Sequence, residues 1–288
     1  MASEHFPAIL RAEEVMAPQI QQEQGGKTMG TAQAQGKLWG VQAQNWANLM
    51  EKMQLPMYHV VLDKTNVSRG TRLLDVGCGT GMAAQLAAKL GADVTGLDAS
   101  EAELVIARER VASGDFRCGE MEELPYADAS FDVVTGFSSF QFAQDPVNAL
   151  RQARRVVKPG GYVAMVAWGR VEDCEFATTL KAVMACLPPP PPGAKGTFAL
   201  SEPGKMEVLM EQAGLTVCAR GDVSCPFEYP DDETAWKTIR SSGPLVTAIR
   251  SAGEETIKQA VLTSLVPFKT PGGGYRQENR FHYVIATA

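Results

Sequence analysis

Three glycines and an acidic residue follow a short apolar stretch, in the order Leu73-Leu74-Asp75-Val76-Gly77-Cys78-Gly79-Thr80-Gly81. A glycine has no Cβ, so its backbone can approach a ligand closely, and a following helix offers unpaired N–H groups in its first turn. This combination is typical of a site for a nucleotide-like ligand. The glycine spacing is G-x-G-x-G rather than the G-x-G-x-x-G of dinucleotide sites, which makes a nicotinamide-dependent dehydrogenase a weak alternative.

Two further acidic residues stand near the ends of the next two predicted strands. Asp98 closes the stretch Val94-Thr95-Gly96-Leu97-Asp98, and Glu120 follows a short strand that ends at Cys118. A carboxylate at the first position can bind both hydroxyls of a ribose, and one at the second can accept a hydrogen bond from an adenine amine. Asp98 is also suited to cap the next helix, but its position at a strand end favours the ribose.

Alternating strands and helices must position these residues. The hydrophobic pattern predicts strands over residues 72–76, 93–97, 115–118, 132–135 and 162–167. Helices are predicted between them, over residues 82–90, 101–112 and 146–156. Strands that alternate with helices predict an α/β fold with a parallel sheet.

The flanks of this core are less regular. We expect residues 1–30 to be a flexible leader, order to begin near Leu38, and residues 31–288 to form one domain. Two helices are predicted within residues 31–66, and the five-proline run at residues 188–192 predicts a stiff connector. Later elements are predicted as a helix over residues 203–213, a strand over 216–223, a helical stretch over 231–265 and a last strand over 280–286.

The composition excludes several classes of protein. Among 288 residues, 27 Lys and Arg stand against 33 Asp and Glu, and the net charge of −6 provides no general attraction for nucleic acid or an anionic membrane. The six cysteines form no C-x-x-C pair, so neither a zinc site nor a disulfide framework is expected. The longest apolar stretch, residues 162–168, is too short to span a membrane. Without a signal-peptide pattern, a soluble cytoplasmic protein is expected.

The glycine loop, Asp98 and the stretch Gly119-Glu120-Met121-Glu122-Glu123-Leu124-Pro125-Tyr126 together resemble the class I S-adenosylmethionine-dependent methyltransferases. The resemblance is to the group that includes ubiquinone and menaquinone biosynthesis C-methyltransferases, and it covers residues 70–168, the predicted cofactor-binding core. It implies a Rossmann-like, seven-stranded, mostly parallel sheet with one antiparallel strand and helices on both faces. The helical insertion over residues 226–277 is expected to form a cap over the pocket, with ordinary helix packing as the alternative, and the N-terminal helices are expected to form a lid.

The resemblance implies S-adenosyl-L-methionine as the cofactor and methyl transfer to a small, partly apolar molecule by direct displacement. Glu120 stands where the family usually has Asp, and the pair of histidines often found after strand four is replaced here by Phe137-Ser138-Ser139-Phe140. The residues expected to bind the cofactor are Asp75, Gly77, Cys78, Gly79, Gly81, Asp98, Ala99, Glu120, Met121 and Phe137.

Substrate-pocket candidates follow from topology, because ligands of open α/β sheets bind beyond the carboxyl ends of the strands. They are Trp39, Trp46, Phe140, Gln141, Trp168, Tyr275 and Arg276. A stripe of Trp39 and Trp46 facing the core is the simpler interpretation of those two residues, with a lid over the cofactor as the alternative. An acceptor that must lose a proton can give it to His59, Glu175 or Tyr275, which the sequence does not rank, and no catalytic residue is assigned.

Two alternative functions stay open. One is a non-catalytic or rearranged relative that binds S-adenosylmethionine. The other is a nucleic-acid methyltransferase, but an amino-modifying enzyme of that kind is expected to carry an N/D-P-P-Y-like tetrapeptide after strand four. The sequence has Thr135-Gly136-Phe137-Ser138 at that place.

Overall fold

Seven strands form the central sheet of the computed structural model, which describes residues 30–189 and 196–288. The order across the sheet is β3-β2-β1-β4-β5-β9-β6, and β9 runs antiparallel to both of its neighbours, while β1 to β5 are parallel. The predicted sheet is thereby confirmed. The strands of this sheet are β1 (Arg72–Val76), β2 (Asp93–Asp98), β3 (Asp115–Cys118), β4 (Phe131–Phe137), β5 (Val157–Trp168), β6 (Thr216–Ser224) and β9 (Arg280–Thr287).

Ten helices of eight or more residues surround the sheet in the described part of the chain. They are α1 (Ala32–Trp39), α2 (Leu55–Lys64), α3 (Met82–Lys89), α4 (Glu101–Arg110), α5 (Pro146–Val156), α6 (Phe176–Met184), α7 (Lys205–Gln212), α8 (Asp232–Ile239), α9 (Gly243–Ala252) and α10 (Glu254–Leu265). Acidic or hydroxyl side chains accept hydrogen bonds from first-turn N–H groups at the starts of α4, α5 and α8, namely Ser100, Asp145 and Asp231.

The sheet is covered by helices on both faces because consecutive strand residues point to opposite sides. Leu73 packs with Ala84 of α3 and Leu104 of α4, whereas Leu74 packs in a cluster that includes Leu150 of α5. All five side chains are completely buried. The apolar strands are therefore buried on both faces, as expected for a parallel sheet.

The strand order reverses between β1 and β4, which are neighbours in the sheet although two strands lie between them in the chain. Asp75 near the end of β1 pairs in register with Thr135 of β4. In an open α/β sheet, ligands bind in the crevice beyond the carboxyl ends of the strands at such a reversal. The fold therefore predicts a ligand-binding site at the loops that follow β1, β2 and β4.

The segment between β6 and β9 is the predicted cap. The strands β7 (Phe227–Tyr229) and β8 (Tyr275–Gln277) form a separate two-stranded sheet at its two ends, with α8, α9 and α10 between them. The sequence pattern predicted one helical stretch here. Three helices form instead, since α9 begins at Gly243 and Gly253 adopts a φ of +86° before α10.

The N-terminal region also differs from its prediction. Helix α1 begins at Ala32, six residues before the expected start of order at Leu38, and residues 40–53 form a series of short helical turns that includes a π-helical turn at Trp46–Met50. The predicted leader lies outside the described residues except for Gly30, and so does most of the five-proline run. None of the helices in the described ranges is both long and apolar enough to cross a membrane.

Candidate functional site

A cavity lies at the carboxyl ends of β1, β2 and β4, and the N-terminal region forms its opposite wall. Nine of the ten residues predicted to bind a cofactor line it, and two of the seven pocket candidates do. From the first set they are Asp75, Gly77, Cys78, Gly79, Asp98, Ala99, Glu120, Met121 and Phe137, and from the second Trp39 and Trp46.

The glycine loop passes between the end of β2 and the segment after β4. The N–H groups of Gly77 and Cys78 both donate to the carbonyl of Leu97, at 2.7 and 3.1 Å. A Cβ on Gly77, whose φ is +72°, would lie 2.3 Å from the Cβ of Ser139. Glycine is required here both by the backbone conformation and by the close approach of the neighbouring segment.

Asp98 joins the glycine loop to the start of α4. Its Oδ2 accepts a hydrogen bond from the N–H of Gly79 and its Oδ1 accepts one from the N–H of Ser100, both at 2.8 Å. The carboxyl group is buried, which raises its pKa, while the backbone donors oppose that shift. Each carboxylate oxygen can accept a further hydrogen bond, so the group can also bind a ligand in the cavity.

Glu120 connects the wall after β3 to the N-terminal helix. Its Oε2 accepts a hydrogen bond from the N–H of Ala32 at 2.9 Å, in the first turn of α1. A Cβ on Gly30 would lie 2.0 Å from the same oxygen, so a larger residue there would require the Glu120 side chain to move. The sequence predicted Glu120 as a ligand-binding acid but gave no sign that it also holds α1.

Asp75 lies across the strand-order reversal. Its Oδ1 accepts a hydrogen bond from the Thr135 hydroxyl at 2.8 Å, and its side chain is 2% exposed. Burial raises the pKa of this carboxyl group to about 7, with smaller contributions from the neighbouring acids Asp98 and Glu51. Asp75 therefore changes its charge near neutral pH.

Glu51 is a cavity residue that the sequence pattern did not reveal. It is 3% exposed, and its carboxylate accepts hydrogen bonds from the Thr80 hydroxyl at 2.8 Å and from Arg110 Nη1 at 2.6 Å. Arg110 also donates to the carbonyls of Thr80 and Ala47. This network fastens the N-terminal wall to the glycine loop and to α4. No local motif marks Glu51, because its partners are distant in the chain.

Aromatic side chains close the N-terminal side of the cavity. The ring of Trp39 meets those of Trp46 and Phe142 edge-on, with centroid distances of 5.1 and 5.7 Å. Tyr58 meets Phe137 edge-on at 4.8 Å and donates its hydroxyl to Gln54 Oε1 at 3.2 Å. Trp39 and Trp46 thus border the cavity, as in the lid alternative, while Trp46 also packs against a buried core cluster, as in the core-facing interpretation.

Several predicted pocket residues lie elsewhere, because the base of the cap is itself a packed core. Trp168 is 8% exposed and stacks on Phe176 with centroids 5.5 Å apart. Tyr275 is buried and donates its hydroxyl to Asp232 at 2.5 Å. Arg276 is exposed and forms ion pairs with Glu228 of β7 and with Glu278, which follows β8. Trp168, Tyr275 and Arg276 therefore do not line the described cavity, and their role in acceptor binding stays a prediction.

Three further predicted residues lie outside the cavity lining. Phe140 is 1% exposed and packs against Gly136, where a Cβ would lie 2.3 Å from its ring. Gln141 follows it, with a buried side-chain oxygen that has no described hydrogen-bond partner. Gly81 starts α3 with a φ of +82°, and a Cβ there would lie 2.8 Å from Ala107 of α4. The last glycine of the motif therefore serves helix packing.

The candidate proton acceptors are also outside the described lining of the cavity. His59 is exposed on α2. Glu175 accepts a hydrogen bond at 2.7 Å from the N–H of Glu278, which lies between β8 and β9. No group of three or more potential metal ligands occurs in residues 30–189 and 196–288.

Acidic groups dominate the charge of the cavity. Five carboxyl groups line it, whereas its described lining contains no Lys, Arg or His. Arg110 lies behind the lining and is engaged with one of them at 2.6 Å. The five are Glu51, Asp75, Asp98, Glu103 and Glu120. A cavity of this kind favours a ligand that carries positive charge and hydrogen-bond donors.

Comparisons with known proteins agree with this geometry. The methyltransferase domain family matches residues 74–165. Methyltransferase GfsG of Streptomyces halstedii is 31% identical over 243 residues, which cover 78% of this chain and 77% of that protein. The chain belongs to the class I S-adenosylmethionine-dependent methyltransferases. The resemblance to the ubiquinone and menaquinone group is confirmed.

Two more similarities bear on this methyltransferase. Malonyl-[acyl-carrier protein] O-methyltransferase of Erwinia pyrifoliae is 38% identical over 183 residues, covering 64% of this chain and 66% of that protein. The crystal structure of the [4+2]-cyclase SpnF aligns with a TM-score of 0.56 at 19% identity, covering 91% of this chain and 98% of the other. The second similarity concerns the fold alone.

The cofactor of this methyltransferase is S-adenosylmethionine, and the residues present fit it. Gly77 and Gly79 have φ angles of +72° and +52°, which leave their backbone bare toward the cavity. The cofactor carries a positive sulfonium and a positive ammonium group, and the five carboxyl groups of the lining complement that charge. The cavity thus offers bare backbone for the neutral parts of the cofactor and carboxyl groups for its two cationic groups.

Proposed function

We propose that this methyltransferase methylates a small, partly apolar molecule, which binds between the cofactor and the aromatic N-terminal wall. The observation that carries the proposal is the construction of the cavity. One wall has glycine backbone and carboxyl groups, and the other has the rings of Trp39, Trp46 and Phe142. Aromatic walls with a few polar groups are typical of small-molecule pockets.

The proposed residue roles are those that the family resemblance implies, and the lining of the cavity supports them. Gly77 and Gly79 would lie along the methionine part of the cofactor, and Asp98 would accept hydrogen bonds from the ribose hydroxyls. Glu120 would accept one from the adenine amine while it keeps its bond to Ala32, because a carboxylate has several lone pairs. Met121 would place its thioether against the adenine ring.

The cofactor supplies a methyl group on a positively charged sulfur, which makes the carbon open to direct attack. The protein has to align the two reactants and exclude water, and alignment alone can contribute about 7–11 kcal/mol. The aromatic N-terminal wall would exclude water. Burial raises the pKa of Tyr58 well above its usual value, so its hydroxyl stays protonated and acts as a hydrogen-bond donor to Gln54 rather than as a base.

The charge of the cavity argues against a nucleic-acid acceptor. A phosphate backbone needs cationic side chains along its path, and the described lining offers carboxyl groups instead. Relatives named for O-methylation of a malonyl group on its carrier protein and for ubiquinone biosynthesis favour a carboxylic acid or a phenol as the methylated group. An oxygen acceptor of modest size is therefore the class we propose.

The test is methyl transfer from cofactor with an isotopically labelled methyl group to a panel of phenols, carboxylic acids, carrier-bound acyl groups and amines, with transfer RNA and duplex DNA in parallel. We expect label in a small acid or phenol and none in the nucleic acids. Label in nucleic acid alone would overturn the proposal. Cofactor binding without transfer to any acceptor would support the non-catalytic alternative. Asp98→Ala serves as the negative control for cofactor-dependent label.

A further inference from the structure

Glu103 is a buried acidic residue whose carboxyl group has no partner in the described chain. It lies in the first turn of α4, lines the cavity and is 3% exposed. Its backbone N–H donates to Ser100 Oγ at 3.3 Å, but its side chain forms no hydrogen bond or ion pair with any described residue. A carboxyl group that borders a cavity and has no partner in the described chain is free to bind a polar group of a ligand.

Gly79 places Glu103 beside Asp98. The N–H of Gly79 donates to Asp98 Oδ2 at 2.8 Å, and a Cβ on Gly79 would lie 3.6 Å from Glu103 Oε1. Beyond the chain neighbours of Gly79, no other described atom lies within 4 Å of that position. The two carboxyl groups therefore border the same glycine, and the glycine leaves the space next to Glu103 open.

Negative charges on the two neighbouring buried acids repel each other, and the described lining of the cavity contains no Lys, Arg or His. Arg110, on the same helix as Glu103, is bound to Glu51 at 2.6 Å and does not pair with Glu103. Burial raises the pKa of both Asp98 and Glu103, and the Coulombic repulsion of Asp98 and Glu51 raises that of Glu103 further. Asp98 accepts two backbone hydrogen bonds that favour its charged form, whereas the side chain of Glu103 accepts none from a described residue, so the pair can offer both a donor and acceptors.

We propose that Glu103 is a second ribose-binding residue, which holds the vicinal diol of the cofactor together with Asp98. A vicinal diol has two hydroxyl donors and two acceptor oxygens, which suits one carboxylate and one neutral carboxyl group. This inference rests on the proposed contact of Asp98 with the ribose. It adds that cofactor binding depends on both ribose hydroxyls, because Glu103 on α4, five positions after Asp98, contacts them as well.

Calorimetric titration of S-adenosylhomocysteine and of its 2′-deoxy and 3′-deoxy analogues tests the inference without any methyl acceptor. We expect wild type to bind at least one deoxy analogue about 10-fold more weakly than the parent compound. In Glu103→Leu that ratio should fall to about 2, because the variant has already lost the contact, and parent affinity should drop about 10-fold. Glu103→Gln should keep most of the discrimination, since an amide can still donate and accept.

Two controls separate the possible failures. Glu101→Gln changes an exposed acid in the same helical turn and should bind all three compounds as wild type does. If Asp98→Asn binds the parent compound as tightly as wild type, the ribose placement and this inference fail together. If Asp98→Asn loses affinity while Glu103→Leu keeps wild-type ratios for both deoxy analogues, the role of Glu103 alone is refuted.

Discussion

The two walls of the cavity are built in different ways. The strand-end wall comes from loops that directly follow β1, β2 and β3. Its hydrogen bonds join residues at or just after the ends of neighbouring strands, such as those from the N–H groups of Gly79 and Ser100 to Asp98. The N-terminal wall comes from residues 30–58 and is held by two carboxylates with distant partners. Glu120 accepts from Ala32, and Glu51 accepts from Thr80 and Arg110.

This difference separates two tasks. Rigid strands position the strand-end loops, so we expect these loops to bind the cofactor with little help from the rest of the chain. The N-terminal wall can change its side chains without disturbing those loops, provided that its two carboxylate attachments remain. Acceptor choice is therefore expected to reside in the N-terminal wall and cofactor choice in the strand-end wall.

The largest expected effect is on the attachment of the N-terminal wall. Arg110→Met leaves Glu51 buried without its cation, which should lower the free energy of unfolding by about 3 kcal/mol. Arg108→Met, on the same helix, removes the exposed pair with Glu101 and should change it by less than about 1 kcal/mol. Urea denaturation of both variants measures the difference. Equal losses would mean that the buried network does not hold the walls together.

A pH-dependent effect is expected in the strand-end wall. Asp75 has a pKa of about 7 when folded, against 3.8 as its ordinary value, so the folded protein keeps a proton that the unfolded chain loses. The free energy of unfolding contributed by this group is therefore highest below pH 4 and falls as pH rises to 7. Asp75→Asn abolishes that fall.

The measurement for Asp75 is urea denaturation of wild type and Asp75→Asn without cofactor at pH 5 and pH 8. The stability of the variant relative to wild type should rise by about 3 kcal/mol between the two pH values. A difference that stays constant would show that Asp75 is already ionised at pH 5. Asp93→Asn, at the exposed start of β2, provides a control with no buried carboxyl group.

A smaller effect is expected on acceptor use. Trp46→Leu removes one ring of the N-terminal wall and should lower kcat/KM for the acceptor about 10-fold, or about 1.4 kcal/mol, with less change in cofactor affinity. Tyr275→Phe, which removes a hydroxyl bound to Asp232 in the cap, should leave kcat/KM within about twofold. Steady-state kinetics with the acceptor identified from the panel compares them. A larger loss in Tyr275→Phe would place the acceptor under the cap.

The sequence predicted the strand-end wall well because each of its parts is local. Asp75, Gly77 and Asp98 stand at fixed positions relative to the strands, and hydrophobic runs reveal those strands. Parallel pairing then brings the strand ends to one edge without further information. The sheet order and its antiparallel strand came from the family resemblance, since local pattern does not specify which strands pair.

The N-terminal wall and the cap could not be predicted in the same way. In the sequence, Glu51 looks like an ordinary helix residue. Only the fold brings Arg110 and Thr80 next to its carboxylate. Tyr275 lies near the correct edge of the sheet, but β8 pairs with β7 and turns its side chain toward Asp232. Contacts between segments far apart in the chain decided these positions, and periodicity carries no information about them.

The central claim is that the strand-end carboxylates bind the adenosyl part of the cofactor, and Asp98 tests it most directly. Calorimetric titration of S-adenosylhomocysteine into wild type, Asp98→Ala and the control Asp93→Ala measures the contribution of that side chain. We expect Asp98→Ala to weaken binding by about 1–3 kcal/mol through loss of charge-assisted hydrogen bonds, with Asp93→Ala unchanged. A dissociation constant for Asp98→Ala equal to that of wild type would contradict the claim.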